Sequence, residues 1–276
     1  MQKKKHKKPF AKKSFGQNFL VDENYIDKII SALDLCANDA VIEIGAGRGA
    51  LTEKLIDSGA NVVAIELEKD MIAVLRDRFP ANSNFHLIES DALKIDFAEL
   101  QKTHFPNQKI KLAANLPYYI STAILQKLIE QREVFSGFVL MFQREVVERI
   151  TAEIGNSERG FLTVLVENYL ETEKLFDVPP KAFRPIPKVW SAVALLRPKE
   201  KNEIENEKLF REIVSFAFLQ KRKTILNNLK NVQKMADLDW QKVLENAAIE
   251  PQRRAESLTN LEWKRLYAEI ERFSVE

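Results

Sequence analysis

Little in this sequence is available for metal or disulfide chemistry. Cys36 is the only cysteine among 276 residues, which excludes an internal disulfide and a cysteine-rich zinc site. The three histidines, His6, His86 and His104, are scattered without ligand spacing. No stretch approaches the roughly 18 to 20 apolar residues that a membrane span needs. The basic opening, MQKKKHKKPFAKKSFG, has no apolar segment behind it and does not read as a secretory signal. These absences predict a reducing, cytoplasmic protein without a structural metal. Glycine is also scarce, with eight in the whole chain, yet Gly45, Gly47 and Gly49 fall within five residues of each other.

What is present is a normal core and an uneven charge. Hydrophobic residues make up 45% and charged residues 30%, the balance of a soluble protein, and the length leaves room for one large domain plus a smaller one. Net charge is +2, but residues 1–13 hold seven lysines and no acid, leaving 35 basic against 40 acidic residues elsewhere. A basic arm on a mildly acidic body points to a polyanionic partner for the arm, with a solvated flexible tail or a nuclear-import signal as the alternatives. A second basic zone runs acid-free from Ile213 to Ala236 and holds Lys221, Arg222, Lys223, Lys230 and Lys234. Phe216, Leu219, Leu226 and Leu229 recur there at helical spacing, which predicts that the charges line one or two helices with core on the other face.

Along the first two-thirds, AVIEI (40–44), NVVAI (61–65), NFHLI (84–88), IKLAA (110–114) and GFVLMF (137–142) read as buried parallel strands. Segments 50–58, 69–79 and 121–132 between them have helical periodicity. This rhythm predicts a doubly wound α/β domain. YLETEKLFDV and VWSAVALL follow, separated by the proline-rich loop PPKAFRPIPK, which cannot be helix or central strand. After Arg197 the strands stop, and helices are expected at 203–219, 221–232, 238–247 and 259–272.

The three glycines follow a strand and open a helix, where they allow positive φ and close approach of a ligand to the backbone. Gly45-Ala46-Gly47-Arg48-Gly49-Ala50 also satisfies the dinucleotide pattern, so the loop alone does not choose between a nicotinamide and another nucleoside cofactor. Glu66 stands 21 residues after Gly45 at the next strand tip, where a carboxylate can accept both hydroxyls of a ribose. Asp91 occupies the corresponding tip of the third strand and could receive an adenine amino group. Three successive strand tips of this kind are best explained by one bound adenosyl group.

In that order, EIGAGRGALT, AIELEKDM, SDALKIDF and NLPYYIST resemble the motif series of the S-adenosylmethionine-dependent rRNA adenine N6-dimethyltransferases. SFGQNFLVDENYIDKI is similar to their opening motif, which implies cofactor contacts from Asn18 and Leu20. FDVPPKAFRPIPKVWSAV and AFLQKRKTILNNLK extend the likeness over nearly the full chain, closest to the bacterial small-subunit branch. Ala46 and Arg48 depart from a proline and a bulky apolar residue common in the loop, and Lys221 stands where arginine is usual. The resemblance implies a Rossmann-like S-adenosylmethionine-dependent methyltransferase sheet with a small all-helical C-terminal domain. The corresponding parts are a flexible arm at 1–13, the methyltransferase domain at 14–198 and a helical rRNA-binding domain at 199–276. It also implies the reaction: two methyls to N6 of each of two adjacent adenosines in the 3′-terminal hairpin of 16S rRNA, by a monomer acting on the small subunit or its precursor.

NLPYYIST, residues 115–122, then has a chemical reading. An adenine amine shares its lone pair with the ring and loses its proton readily only after accepting a methyl, so orientation matters more than a general base. The carbonyls of Asn115 and Leu116 can hold the amine hydrogens, Pro117 pre-aims them, and Tyr118 can stack on a base removed from its helix. Ser121 is expected to cap the following helix. Phe183 reads either as the opposite stacking face or as core, and Lys221, Arg222 and Lys223 as phosphate contacts. Other readings are the macrolide-resistance type of 23S rRNA methyltransferase, which tends to have isoleucine at the position of Leu116, and a non-catalytic nucleic-acid-binding factor on the same fold. A dehydrogenase leaves both the lysine arm and NLPYYIST unexplained.

Overall fold

The computed structural model describes residues 18–79, 84–201, 203–231 and 238–274. The lysine arm at 1–13 and Lys234 lie outside the described residues. A two-residue strand, β1 (Phe19–Leu20), leads into α1 (Glu23–Ala32), whose first turn is capped by the Asp22 carboxylate. Then strands and helices alternate: β2 (Ala40–Ile44), α2 (Ala50–Asp57), β3 (Asn61–Glu66), α3 (Lys69–Arg78), β4 (Phe85–Glu89), α4 (Phe97–His104), β5 (Ile110–Asn115), α5 (Ser121–Glu130) and β6 (Phe135–Gln143). Next come α6 (Arg144–Ile150), α7 (Phe161–Tyr169), β7 (Leu170–Val178), β8 (Phe183–Arg184) and β9 (Ser191–Pro198). The chain ends in α8 (Glu207–Ala217), α9 (Ile225–Leu229), α10 (Trp240–Asn246) and α11 (Asn260–Ser274).

Seven strands form one sheet in the order β4-β3-β2-β5-β6-β9-β7, parallel from β4 through β6 and antiparallel where β9 meets β6. All five residues of β2 are buried, as a central strand covered on both faces requires. The chain leaves β2 toward β3 and β4, then returns to the other side of β2 as β5. That reversal opens a crevice at the carboxyl ends of β2 and β5, the switch point where ligands of open α/β sheets bind. β1 pairs antiparallel with β8, Leu20 opposite Phe183, and Val21 N donates to Ala182 O at 2.9 Å. This small ladder fixes the opening motif beside the crevice.

The chain divides into two compact units, one of residues 1–147 and 173–198, the other of 148–172 and 199–276. The expected boundary after residue 198 is thus joined by an excursion, 148–172, that belongs with the C-terminal helices. Its reason is apolar: α7 buries Leu162, Val164, Leu165, Val166 and Tyr169, and the Tyr169 ring meets Phe210 of α8 edge-on at 6.2 Å. Among the described residues no helix is long and apolar enough to cross a membrane.

The basic zone differs from its expected form. α9 starts only at Ile225, capped by Thr224 Oγ1 accepting from Asn227 N at 3.3 Å, so Lys221, Arg222 and Lys223 sit exposed on the turn between α8 and α9 rather than along a helix. Buried Asn228 holds the start of that turn. Its Nδ2 donates to Ala217 O at 2.8 Å and Gln220 O at 3.2 Å, while Oδ1 accepts from Gln220 N at 3.1 Å.

Phe210 is fully buried, with Tyr169 and Tyr267 edge-on at 6.2 and 6.0 Å. Phe210→Ala is expected to destabilise the protein by about 3–5 kcal/mol through transfer and cavity terms. Urea unfolding checks this; an unchanged midpoint would show that the ring can be lost without a cavity.

Candidate active site

The crevice is a cleft of about 980 Å³ lined by residues of the first unit. One wall is the glycine loop. Gly47 adopts φ +56, and a Cβ there would lie 3.1 Å from the Phe19 ring, so only glycine lets β1 approach so closely. The loop is tied to the next strand in two places. Gly45 N donates to Ile65 O at 2.8 Å, and Gly47 N donates to Glu66 Oε2 at 2.8 Å. The other Glu66 oxygen, Oε1, accepts from Leu67 N at 2.8 Å and Glu68 N at 2.9 Å. A carboxylate offers about four lone-pair sites, so three backbone donors leave Oε2 one further place, enough for one ribose hydroxyl rather than the expected two. Above the loop, the Arg48 guanidinium lies 4.4 Å from the Phe19 ring centroid, a cation–π contact that takes the place of an apolar side chain.

The opposite wall is Asn115–Tyr118. Asn115 ends β5, and its Nδ2 donates to Asn18 O at 3.2 Å. That bond turns the other end of the amide, Oδ1, into the remaining acceptor. Leu116 is buried and its N donates to Met141 O at 3.4 Å. The turn is closed by Ile120 N to Pro117 O at 3.1 Å and by Ser121 Oγ donating to Tyr118 O at 3.1 Å. Ser121 is therefore the first residue inside α5 and not its cap; Ile120 takes that position without a side-chain bond. The serine hydroxyl braces the tyrosine backbone instead. Half-buried Tyr118 has its hydroxyl 3.1 Å from Ser191 Oγ. Burial pushes the phenol above its ordinary value, against the lowering effect of the Ser191 bond, so it is neutral at physiological pH.

Sequence reasoning misses Glu43, although an acid inside the otherwise apolar AVIEI is a visible signal. It lines the cleft, is 2% exposed and accepts a 2.5 Å bond from Thr52 Oγ1. Burial raises its carboxyl to about 7, opposed by the Thr52 hydroxyl and reinforced by the charge of Glu66.

Asn18, Leu20, Gly45, Gly47, Glu66, Asn115, Leu116, Pro117 and Tyr118 all line the one cleft. Asp91 does not. It stands at the end of β4, and its Oδ1 caps a short 3-10 turn by accepting from Leu93 N at 3.0 Å. Phe183 does not line it either. At 1% exposure, within the apolar cluster around Leu20, Val178 and Val193, its ring presents no open stacking face. Pairing with Leu20 across the β1–β8 ladder turns it into core.

Six carboxylates against two guanidinium groups line the cleft. That excess suits a cofactor carrying a positive sulfonium, and the backbone exposed at the glycines suits its nucleoside. Sheet order, glycine loop, strand-tip acid and NLPY turn together define a Rossmann-like S-adenosylmethionine-dependent methyltransferase. Comparison with known proteins agrees. The ribosomal RNA adenine dimethylase family matches residues 9–266. The chain is 41% identical over 271 residues to ribosomal RNA small subunit methyltransferase A of Staphylococcus aureus, covering 95% of this chain and 90% of that protein. Its structure resembles a dimethyladenosine transferase from Plasmodium falciparum, with a TM-score of 0.79 at 29% identity over 93% of this chain and 98% of the other. The 23S rRNA methyltransferase ErmE shares the fold, with a TM-score of 0.69 at 23% identity over 92% of this chain and 100% of the other. The chain belongs to the ribosomal RNA adenine dimethylase family. It is an S-adenosylmethionine-dependent enzyme that dimethylates adenine in ribosomal RNA.

Glu43 generates a pH prediction. Its folded value of about 7 lies above the ordinary 4.5, so the stability it contributes is fully present below about 4.5 and is lost as pH rises through about 7. The full loss is on the order of 3 kcal/mol. Glu43→Gln, which cannot ionise, is expected to flatten that part of the profile when urea unfolding is compared at about pH 5.5 and pH 8. Parallel profiles for parent and variant would mean that the carboxyl is already ionised when buried.

Proposed function

We propose that the substrate is 16S rRNA in the small ribosomal subunit or its precursor, and that two adjacent adenosines of its 3′-terminal hairpin each receive two methyls at N6. The reading includes a cytoplasmic, monomeric enzyme. It is supported by the small-subunit name of the S. aureus relative, by Leu116 and by the RKTILNNLK segment. The observation that carries the chemistry is the Asn115 amide held by Asn18 at the cleft wall, with a neutral phenol three residues on.

S-adenosylmethionine, when bound, supplies a methyl on a positively charged sulfur. Asn18, Leu20, Gly45, Gly47, Glu66 and Asn115 are the residues that would hold it, Glu66 through the remaining site on Oε2. Asp91 does not line the cleft, so its proposed bond to the adenine amino group, through its second carboxylate oxygen, rests on the resemblance of SDALKIDF to the family's motif. Asn115 Oδ1 and the Leu116 carbonyl accept the two hydrogens of the target amine, which aims its lone pair away from them. A charged acceptor is unnecessary because the amine's proton is acidic only after methylation. The Tyr118 ring stacks on the extruded base, worth about 1–3 kcal/mol, and its protonated hydroxyl keeps a negative charge away from the RNA.

Labelled methyl transfer tests the reading. Unmethylated small subunits are expected to be methylated and naked 23S rRNA not; the reverse result would sink the 16S assignment. Within that assay Asn115→Ala is expected to abolish turnover while subunit binding persists. Tyr118→Ala is expected to lose most activity. Tyr118→Phe keeps the ring and loses only the Ser191 bond, a cost of about 1 kcal/mol, so it retains much of it. Equal inactivity of both tyrosine variants would make the hydroxyl, not the ring, the working part.

Lys221, Arg222 and Lys223 are proposed to bind phosphates. Removing one phosphate-bound cation is expected to lower the salt slope of subunit binding by about one. Replacing all three with glutamine should therefore weaken binding with a shallower slope and leave S-adenosylmethionine affinity unchanged. Identical affinity at every salt concentration would reduce these residues to solvated surface.

A further inference from the structure

Trp190 is the exposed tryptophan of this chain. It is 44% exposed, whereas Trp240 and Trp263 are 2% and 0% exposed. An indole left in water next to a fully buried serine, Ser191, is not core. β6 and β9 pair with Gln143 opposite Ser191, so Arg144 and Trp190 are the next residues beyond that end of the sheet. They hold each other: Arg144 N donates to Trp190 O at 2.9 Å, and the Arg144 guanidinium lies 5.9 Å from the Trp190 ring centroid. The register Asn115 opposite Met141, and Met141 opposite Val193, puts Asn115 at the same end of the sheet. Ser191, the neighbour of Trp190, is the residue whose hydroxyl meets that of Tyr118 at 3.1 Å.

We propose that Trp190 and Arg144 form a second nucleotide-docking platform, which takes the unpaired nucleotide flanking the target adenosine. The inference rests on the reading that Tyr118 holds the extruded base. Extrusion breaks the stack on the neighbour as well, and an exposed aromatic face recovers that stacking irrespective of the base's identity. The guanidinium supplies the charge that the intervening phosphate needs. Aromatic face and cation are both present, exposed and already mutually ordered, one residue from the anchor of Tyr118. A ribosomal protein could also use an exposed tryptophan, but the paired guanidinium favours RNA.

The test uses the full-length protein and a hairpin RNA with two adjacent unpaired adenosines in its loop. Adding the RNA is expected to shield Trp190 from acrylamide quenching, a signal that the two buried tryptophans do not obscure. Trp190→Ala is expected to lose about tenfold to a hundredfold in kcat/KM on this RNA, mostly in KM, with S-adenosylmethionine affinity unchanged. Trp190→Phe should recover most of the loss, and Arg144→Gln should flatten the salt dependence of KM. Unchanged quenching together with parental kinetics for Trp190→Ala would overturn the platform. So would a defect seen on intact subunits and absent on the hairpin, since the tryptophan would then face a protein. If Tyr118→Ala is fully active, the base-holding reading itself has failed; if Tyr118→Ala is impaired and Trp190→Ala is not, only the platform has.

Discussion

The carboxylate of Glu66 is the joint on which the cleft depends. It gathers N–H donors from Gly47, Leu67 and Glu68, and charge-assisted bonds of this kind are about twice as strong as neutral ones. Through Gly47 it sets the glycine loop against the tip of β3. Through the loop it sets Phe19 and Arg48, because the Phe19 ring fills the space that a Gly47 side chain would need. β1 then hands its Asn18 carbonyl to Asn115 on the far wall. A single anion thus links the part of the cleft suited to a nucleoside with the part suited to a target base. Loss of this side chain would cost loop order as well as the proposed cofactor contact.

The two walls divide the chemistry by charge. The glycine side is rich in carboxylates, with Glu43 and Glu66 both nearly excluded from water. The Asn115 side offers amide and peptide carbonyls, a proline and a phenol held in its neutral form. A sulfonium gains from the first wall, and an uncharged aromatic amine needs only the second. Glu43 sits between these demands. Its buried carboxyl, raised to about 7, can remain neutral in the open cleft, and a positive charge nearby would favour its ionised form. Its burial cost is then offset by the ligand rather than by the fold.

Backbone periodicity and composition make the sheet legible, while side-chain direction decides what is not. The five parallel strands are readable because each is a largely apolar run bounded by turn residues, and β2 coincides with AVIEI from Ala40 to Ile44. The glycine loop and NLPY turn are legible because unusual residues are concentrated there. Phe183 is ambiguous in the sequence because an aromatic in a proline-rich loop carries no periodicity; only its pairing with Leu20 turns it inward. Ser121 misleads because a serine one residue inside a helix start resembles a cap, and its hydroxyl binds backward to Tyr118 O. Lys221 to Lys223 follow an apolar helical pattern, but the Thr224 cap restarts the helix after them. Residues 148–172 join the helical unit through the Tyr169–Phe210 contact, a pairing between residues 41 positions apart.

The acidic cleft also limits how RNA can be held. A phosphate chain is repelled by the carboxylates that favour the cofactor, and the repulsion extends over roughly a Debye length, about 8 Å at physiological salt. Only the uncharged base can enter without that penalty. The backbone must be held by cations outside the lining, and the described residues offer them as exposed, ordered groups: Arg144 against the indole of Trp190, and the Lys221–Lys223 turn braced by Asn228. In the proposed reading, affinity for RNA and selection of the methyl donor are carried by separate charges of opposite sign. That separation explains how a chain whose net charge is only +2 can serve a cationic donor and a polyanionic acceptor together.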